Sequence, residues 1–239
     1  MNPLSHIDPD DPYPESDGQP MADNTEQYEW IVKIKENLEI LFADRADVFV
    51  AGDLLWYPVP DRQVTGPVAP DVMVAFGRPK GRRGSYRQWE EDGVAPQVVF
   101  EILSPSNSLK EMLDKRTFYD TYDVDEYYVF DPERNTLEVW LRQEGRLRRL
   151  SHLKTWTSPR LGCRFALGSG TLEVHDPAGQ PFLSSVELSR RAKQEMARAD
   201  RETARAEREA ARAEREHNRA ERLAERLRAI GVDPDRLDD

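Results

Sequence analysis

The sequence predicts an α/β fold, a sheet flanked by helices with one long helix at the C-terminal end. Three patterns carry that prediction. Short runs rich in Val, Ile and aromatic residues recur through the middle of the chain. A capped helical segment interrupts them, giving a β-α-β order. The C-terminal stretch repeats every seven residues.

Taken in order, five of the 17 prolines fall in the first 20 residues among Asp, Ser and Gly. That composition buries too little apolar area to offset ordering entropy, so residues 1–20 are expected to form a flexible arm. Trp30, Ile31, Ile34, Leu38 and Leu41 then recur at three- and four-residue steps, the apolar stripe of a helix over about 23–43. Strands are expected at 48–50, 54–57, 72–76, 98–103, 127–130 and 137–141. Between the fourth and fifth, Ser104-Pro105-Ser106-Asn107 supplies caps for a helix over about 108–122. Ser108 with Glu111 has capping-box spacing, and Glu111 with Lys115 has the spacing of an ordinary helix ion pair. Weaker strand signals follow at 163–167 and 172–175. Residues 21–183 thus form the expected folded domain.

From residue 184 the composition changes. Residues 197–217 read as heptads, ARADRET, ARAEREA and ARAEREH, and predict one charged helix over 184–231, with Gly231 and Pro234 as its stop and a flexible tail at 232–239. Its seam positions are mostly alanine (Ala199, Ala206, Ala213, Ala220), which bury little area. A coiled coil built on them would associate weakly, as a homo-oligomer or with a partner protein, and an isolated helix is the alternative.

Composition excludes several classes. Cys163 is the single cysteine, so neither an intrachain disulfide nor a cysteine zinc site can form. His6, His152, His175 and His217 are scattered. No stretch has the length and apolarity of a membrane span, and the start lacks signal-peptide character, so a cytoplasmic protein is expected. The net charge of −11 argues against a strongly basic nucleic-acid binder, but it is unevenly spread. Residues 1–30 hold eight acids and no Lys or Arg, whereas 31–183 hold 23 acids and 20 bases. Arg78, Lys80, Arg82, Arg83 and Arg87 cluster there, as do Arg142, Arg146, Arg148 and Arg149. Each cluster is either a basic patch or a solvated loop.

Two carboxylates stand out. Asp71, in Ala69-Pro70-Asp71-Val72, opens a strand where its side chain can face an opening. Glu101 is a charge within Val98-Val99-Phe100-Glu101-Ile102-Leu103, on the same face as Val99 and Leu103. Burying it demands a cation, either a Lys or Arg in a structural ion pair or a bound metal. In the second case Asp71 and Glu101 would hold Mg²⁺ through oxygen, and Lys115 would orient or polarise a water.

The run Val98 to Ser106, with Glu111, Lys115, Tyr119 and Glu126-Tyr127-Tyr128-Val129-Phe130-Asp131-Pro132, resembles the signature of the Uma family of bacterial restriction-endonuclease-like proteins. That family is itself similar to the PD-(D/E)XK nucleases. Over roughly 20–180 the resemblance implies a restriction-endonuclease-like mixed sheet with Asp71 and Glu101 as the motif acids and as metal ligands. It further implies Mg²⁺, for which Mn²⁺ can substitute, as cofactor, and nucleic acid, DNA in the first place, as substrate. The usual motif lysine would stand at Leu103; in this family a lysine from the next helix replaces it, which maps onto Lys115. The chain has Glu111 where the family commonly has Asp, Asp123 where it has Gly, and Gln97 where an acid is frequent. The implied activity is endonucleolytic phosphodiester hydrolysis. The alternative is a weakly active or inactive nucleic-acid-binding module that recruits partners through its C-terminal helix.

Overall fold

The computed structural model describes residues 12–151, 154–168 and 170–230. His6, His152, the Gly231 and Pro234 stop and the tail 232–239 lie outside them. Residues up to Ser185 form one compact unit, and the chain from Val186 onward forms a second.

Helix α1 (Thr25–Leu41) starts where Asn24 accepts the Gln27 N–H at 2.8 Å. It buries Trp30, Ile31, Ile34 and Leu38, the stripe read from the sequence. Strands β1 (Val48–Gly52), β2 (Trp56–Tyr57), β3 (Val72–Phe76), β4 (Tyr86–Arg87) and β5 (Val98–Ile102) follow, with a single 3₁₀ turn at Gln88–Glu90 after β4. Helix α2 (Leu109–Thr121) leads to β6 (Glu126–Asp131), β7 (Thr136–Gln143) and β8 (Arg146–Arg149). Three short strands, β9 (Thr155–Thr157), β10 (Arg164–Leu167) and β11 (Leu172–His175), precede helix α3 (Ser185–Ala229).

Six strands form the central sheet in the order β1-β3-β5-β6-β7-β8. Only β5 and β6 are parallel within it, and α2 is their crossover. This is the mixed sheet that the family resemblance implies, with the β-α-β order supplying its parallel pair. One face carries Val98, Phe100 and Ile102 and packs with α1 and the β9–β11 sheet, including Phe165, Val174 and the buried Cys163. The other carries Val99, Met73 and Ala51 and packs beneath Phe118 and Tyr119 of α2 and Trp56 of β2. Both faces of β5 are therefore covered, and every residue of it is buried. That arrangement turns Glu101 into a buried charge.

Several elements differ from expectation. The strand expected over 54–57 shrinks to Trp56 and Tyr57, and β4, β8 and β9 were not anticipated. Three of the four arginines of the second cluster lie on the edge strand β8, where Leu147 is buried while Arg146, Arg148 and Arg149 are exposed. Three exposed arginines around one apolar residue mask a period-2 pattern that is too short to read. Asp123 stands at a left-handed backbone (φ 63), which explains why a glycine suits that position; Asp tolerates it at some cost. Within the residues expected to be a flexible arm, Tyr13 packs edge-on against Tyr57 at 5.5 Å, and Tyr57 OH donates to the Pro14 carbonyl at 2.7 Å.

The arginine clusters are engaged internally. Arg78 and Arg83 both bind Glu91, and Lys80 donates to the carbonyls of Phe42 and Ala43 at the C-terminal end of α1. Arg142 donates to the carbonyls of Tyr119, Asp120 and Val124 at the end of α2, and Arg146 and Arg149 pair with Asp120 and Glu138. Most members of both clusters thus have partners within the fold, while Arg82, Arg146, Arg148 and Arg149 keep exposed side chains.

In the second unit, α3 has no buried residue among those described. Arg198–Glu202, Arg205–Glu209 and Arg212–Glu216 pair at 3.0, 2.9 and 2.9 Å, the i,i+4 contacts that the heptads imply. Exposed pairs of this kind contribute a few tenths of a kcal/mol each. No described helix is long and apolar enough to cross a membrane.

Candidate active site

The site lies at one end of the central sheet and follows from strand register. In the antiparallel pair β3–β5, Val72 faces Phe100. One step beyond, the same register sets Asp71 opposite Glu101. Residues directly opposite share a face, so both carboxylates belong to the α2 side of the sheet. Asp71 is fixed by accepting the Ile102 N–H on Oδ2 at 2.6 Å, and it is 8% exposed. Glu101 is 3% exposed.

Helix α2 supplies the partners. Ser108 accepts the Glu111 N–H at 3.2 Å and starts the helix. The Glu111 carboxylate, however, accepts from the Asn107 amide at 3.0 Å, so the capping box is made on one side only. From α2, Lys115 Nζ meets Glu101 Oε2 at 2.7 Å, and Tyr119 OH donates to Glu101 Oε1 at 2.5 Å. The i,i+4 spacing places both on the sheet-facing side, where together they hold the carboxylate. Lys115 thus pairs with Glu101 across the interface, and the local Glu111–Lys115 pair suggested by helix spacing is not among the ion pairs formed by the described residues.

The electrostatics are coupled. Burial, then the charge of Glu101, holds the Asp71 carboxyl well above its ordinary value. Burial also raises Glu101, against the pull of Lys115 and Tyr119. Burial opposes the charge on Lys115, but Glu101 and Asp71 more than offset it and raise its pKa. Lys115 is consequently a cation at neutral pH, able to donate a hydrogen bond and unable to act as a base. Burial raises the Tyr119 phenol as well, so it stays a proton donor to Glu101.

A groove of about 660 Å³ runs along α2, walled by residues 64–68 and lined by Ser108, Lys115 and Phe118. Lys115 therefore connects solvent with the buried carboxylates, which do not line the groove themselves. Sequence reasoning brought together Asp71, Glu101 and Lys115, and the structure unites all three. It gave Tyr119 no role, although an i,i+4 partner for Lys115 on the buried face of α2 was a usable signal. Of the acids on the first helix, Glu36 accepts from Ser185 and Glu29 is exposed. Both belong to a helix on the opposite side of the sheet.

The donor set suits a hard divalent cation. Two carboxylates offer oxygen only, and Mg²⁺ is commonly held by one or two carboxylates with waters completing its shell. Each Glu101 oxygen has a further lone pair beyond its bond to Lys115 or Tyr119. The nearby Tyr127 hydroxyl is buried without a partner among the described residues, where an ordered water would satisfy it. No group of three Asp, Glu, His or Cys among the described residues forms a ready metal cage. Any ion here would keep much of its water.

A mixed α/β sheet with two facing carboxylates and a helix-borne lysine at one end defines a carboxylate–lysine α/β protein. The chain belongs to the Uma2 family, whose model, described as "Putative restriction endonuclease", matches residues 15–178. Among curated proteins, none matches the chain. A solved structure described as a "putative nuclease belonging to DUF820" from Anabaena variabilis ATCC 29413 is similar at 13% identity and a TM-score of 0.45. That likeness covers 58% of this chain and 75% of the other.

Proposed function

We propose that this protein is a metal-dependent endonuclease that hydrolyses phosphodiester bonds of DNA. The observation that carries the reading is a second buried carboxylate, Asp71, set opposite Glu101 by strand register, where among the described residues one lysine alone faces two acids. Family membership supports the nuclease class.

Asp71 and Glu101 would hold Mg²⁺, or Mn²⁺ in its place. When bound, that cation supplies a Lewis acid for the phosphate and lowers the pKa of a coordinated water. The chain's own residues do the rest. Tyr119 and Lys115 fix the rotamer of Glu101, so that its charge is presented in one place. Lys115, charged and lining the groove, donates to the attacking water or to a phosphate oxygen and stabilises the negative charge that develops there. The positive charge of Lys115 also offsets part of the repulsion between Asp71 and Glu101 in the free protein.

With most of the arginines of both clusters paired within the fold, the ion and Lys115 are expected to carry part of the affinity for the DNA backbone. The test is incubation of the purified protein with plasmid and Mg²⁺ or Mn²⁺, against EDTA. Cleavage that disappears in Asp71→Asn and Lys115→Ala supports the reading. Metal-independent cleavage, or none with any DNA tested, defeats it.

One observation favours a second reading, a non-catalytic module that recruits a partner or a second copy: 45 residues are devoted to α3, an extended helix without a buried face. It predicts binding to nucleic acid without cleavage, and concentration-dependent association that is lost with the helix.

A further inference from the structure

We infer that Asp53 is a third acid of this centre, acting through water: it accepts hydrogen bonds from the hydration shell of a divalent cation held by Asp71 and Glu101. This rests on the reading of those two residues as cation ligands.

The placement follows from the ladder. In the antiparallel pair β1–β3, Gly52 faces Val72, so one step further Asp53 stands opposite Asp71. The contact is real and not only an extension of register, because the Asp53 N–H donates to the carbonyls of both Pro70 and Asp71 at 3.2 Å. Asp71 in turn stands opposite Glu101 by the β3–β5 register. Asp53, Asp71 and Glu101 thus form one row across three adjacent strands, at the end where Lys115 descends from α2. The strand leads toward that face: Phe49 and Ala51 of β1 pack in the same cluster as Met73 and Val99, and Asp53 follows directly after the last strand residue, Gly52.

The three members differ in depth. Asp71 and Glu101 are buried, while Asp53 is exposed at the rim. Since the described residues form no three-donor cage, Asp53 is not a direct ligand in this arrangement. A rim carboxylate next to two buried ones is suited to the outer shell of an ion that retains its waters. Electrostatic contact across the row is consistent with this: apart from burial, the charges felt by the Asp53 carboxyl are those of Asp17, Lys115 and Glu101.

There is a competing explanation that involves no ligand. Asp53 has a left-handed backbone (φ 49), and Asp and Asn are the side chains that best tolerate it. The two accounts separate cleanly, since Asn keeps the backbone preference and loses the charge. Mn²⁺ affinity of the full chain is measured by electron paramagnetic resonance, together with apo melting temperature, for wild type, Asp53→Asn and Asp53→Gly.

The outer-shell role predicts that both variants bind Mn²⁺ roughly 10-fold more weakly, in line with the loss of an outer-shell carboxylate, while Asp53→Asn leaves apo melting unchanged. Wild-type affinity in Asp53→Asn overturns the inference and leaves the Asp71–Glu101 site standing. A loss in Asp53→Gly alone also overturns it, because that would report backbone freedom. If wild type itself binds no Mn²⁺, this inference and the metal-site reading fall together.

Discussion

Replacing Glu101 by Gln keeps the volume and removes one charge from a site that is 3% exposed. Tyr119 can still donate to the amide oxygen. Lys115, whose side chain is 19% exposed and whose Nζ lies 2.7 Å from Glu101, loses its ion-pair partner. Removing one member of a buried pair costs roughly 3–5 kcal/mol, mostly the penalty of the charge left behind. Asp71 remains as a second anion near Lys115, and the partial exposure lets the ammonium reach water, so the expected loss is about 3 kcal/mol, the lower end of that range. For a compact unit of this size, that corresponds to a fall of roughly 6–12 °C in melting temperature. Apo protein in EDTA, followed by circular dichroism, reads it directly. The double variant Glu101→Gln with Lys115→Met removes the stranded charge and should recover most of the loss. Wild-type melting in Glu101→Gln, or a double variant no more stable than the single one, would refute the argument that the pair is buried and mutually dependent.

The remaining predictions concern Asp71, the arginines and the long helix. Since the folded protein raises the Asp71 carboxyl well above its ordinary value, it binds that proton more tightly than the unfolded chain does. This group therefore favours folding below about pH 4, and that contribution is lost as pH rises through the folded pKa. Apo Asp71→Asn, which still accepts from Ile102, should gain stability relative to wild type as pH rises from about 4, and a pH-independent difference in melts contradicts this. With most members of both arginine clusters paired internally, DNA affinity should fall with salt along a shallow log–log slope, of magnitude about 3 or less, measured by fluorescence anisotropy. A steeper slope would show that those ion pairs open onto phosphates. Truncation after Ser185 should leave the melting temperature of the remaining unit within about 2 °C, because α3 contributes no buried residue and exposed pairs count for little. Precipitation or a broad melt would show that the helix packs against something essential.

Local pattern determined much of this protein. The stripe from Trp30 to Leu41 required an amphipathic helix, the apolar run around Glu101 required a buried strand, and the heptads required a long charged helix, because each pattern repeats with the period of one backbone geometry. The chemical oddity of a carboxylate among Val, Phe and Ile was also visible, and with it the need for a cation. Tertiary structure decided which acid Lys115 meets. Helix spacing favours Glu111 for Lys115, and only the packing of α2 over β5 hands that lysine to Glu101. The same holds for Arg78, Arg83 and Arg142, whose partners are remote in sequence, so that a run of like charges became a set of clamps. Asp53 shows the limit most clearly. It is an unremarkable acid after a glycine until two antiparallel registers align it with Asp71 and Glu101. Strand pairing joins residues 18 and 30 positions apart into one row, and no single-chain periodicity encodes that distance.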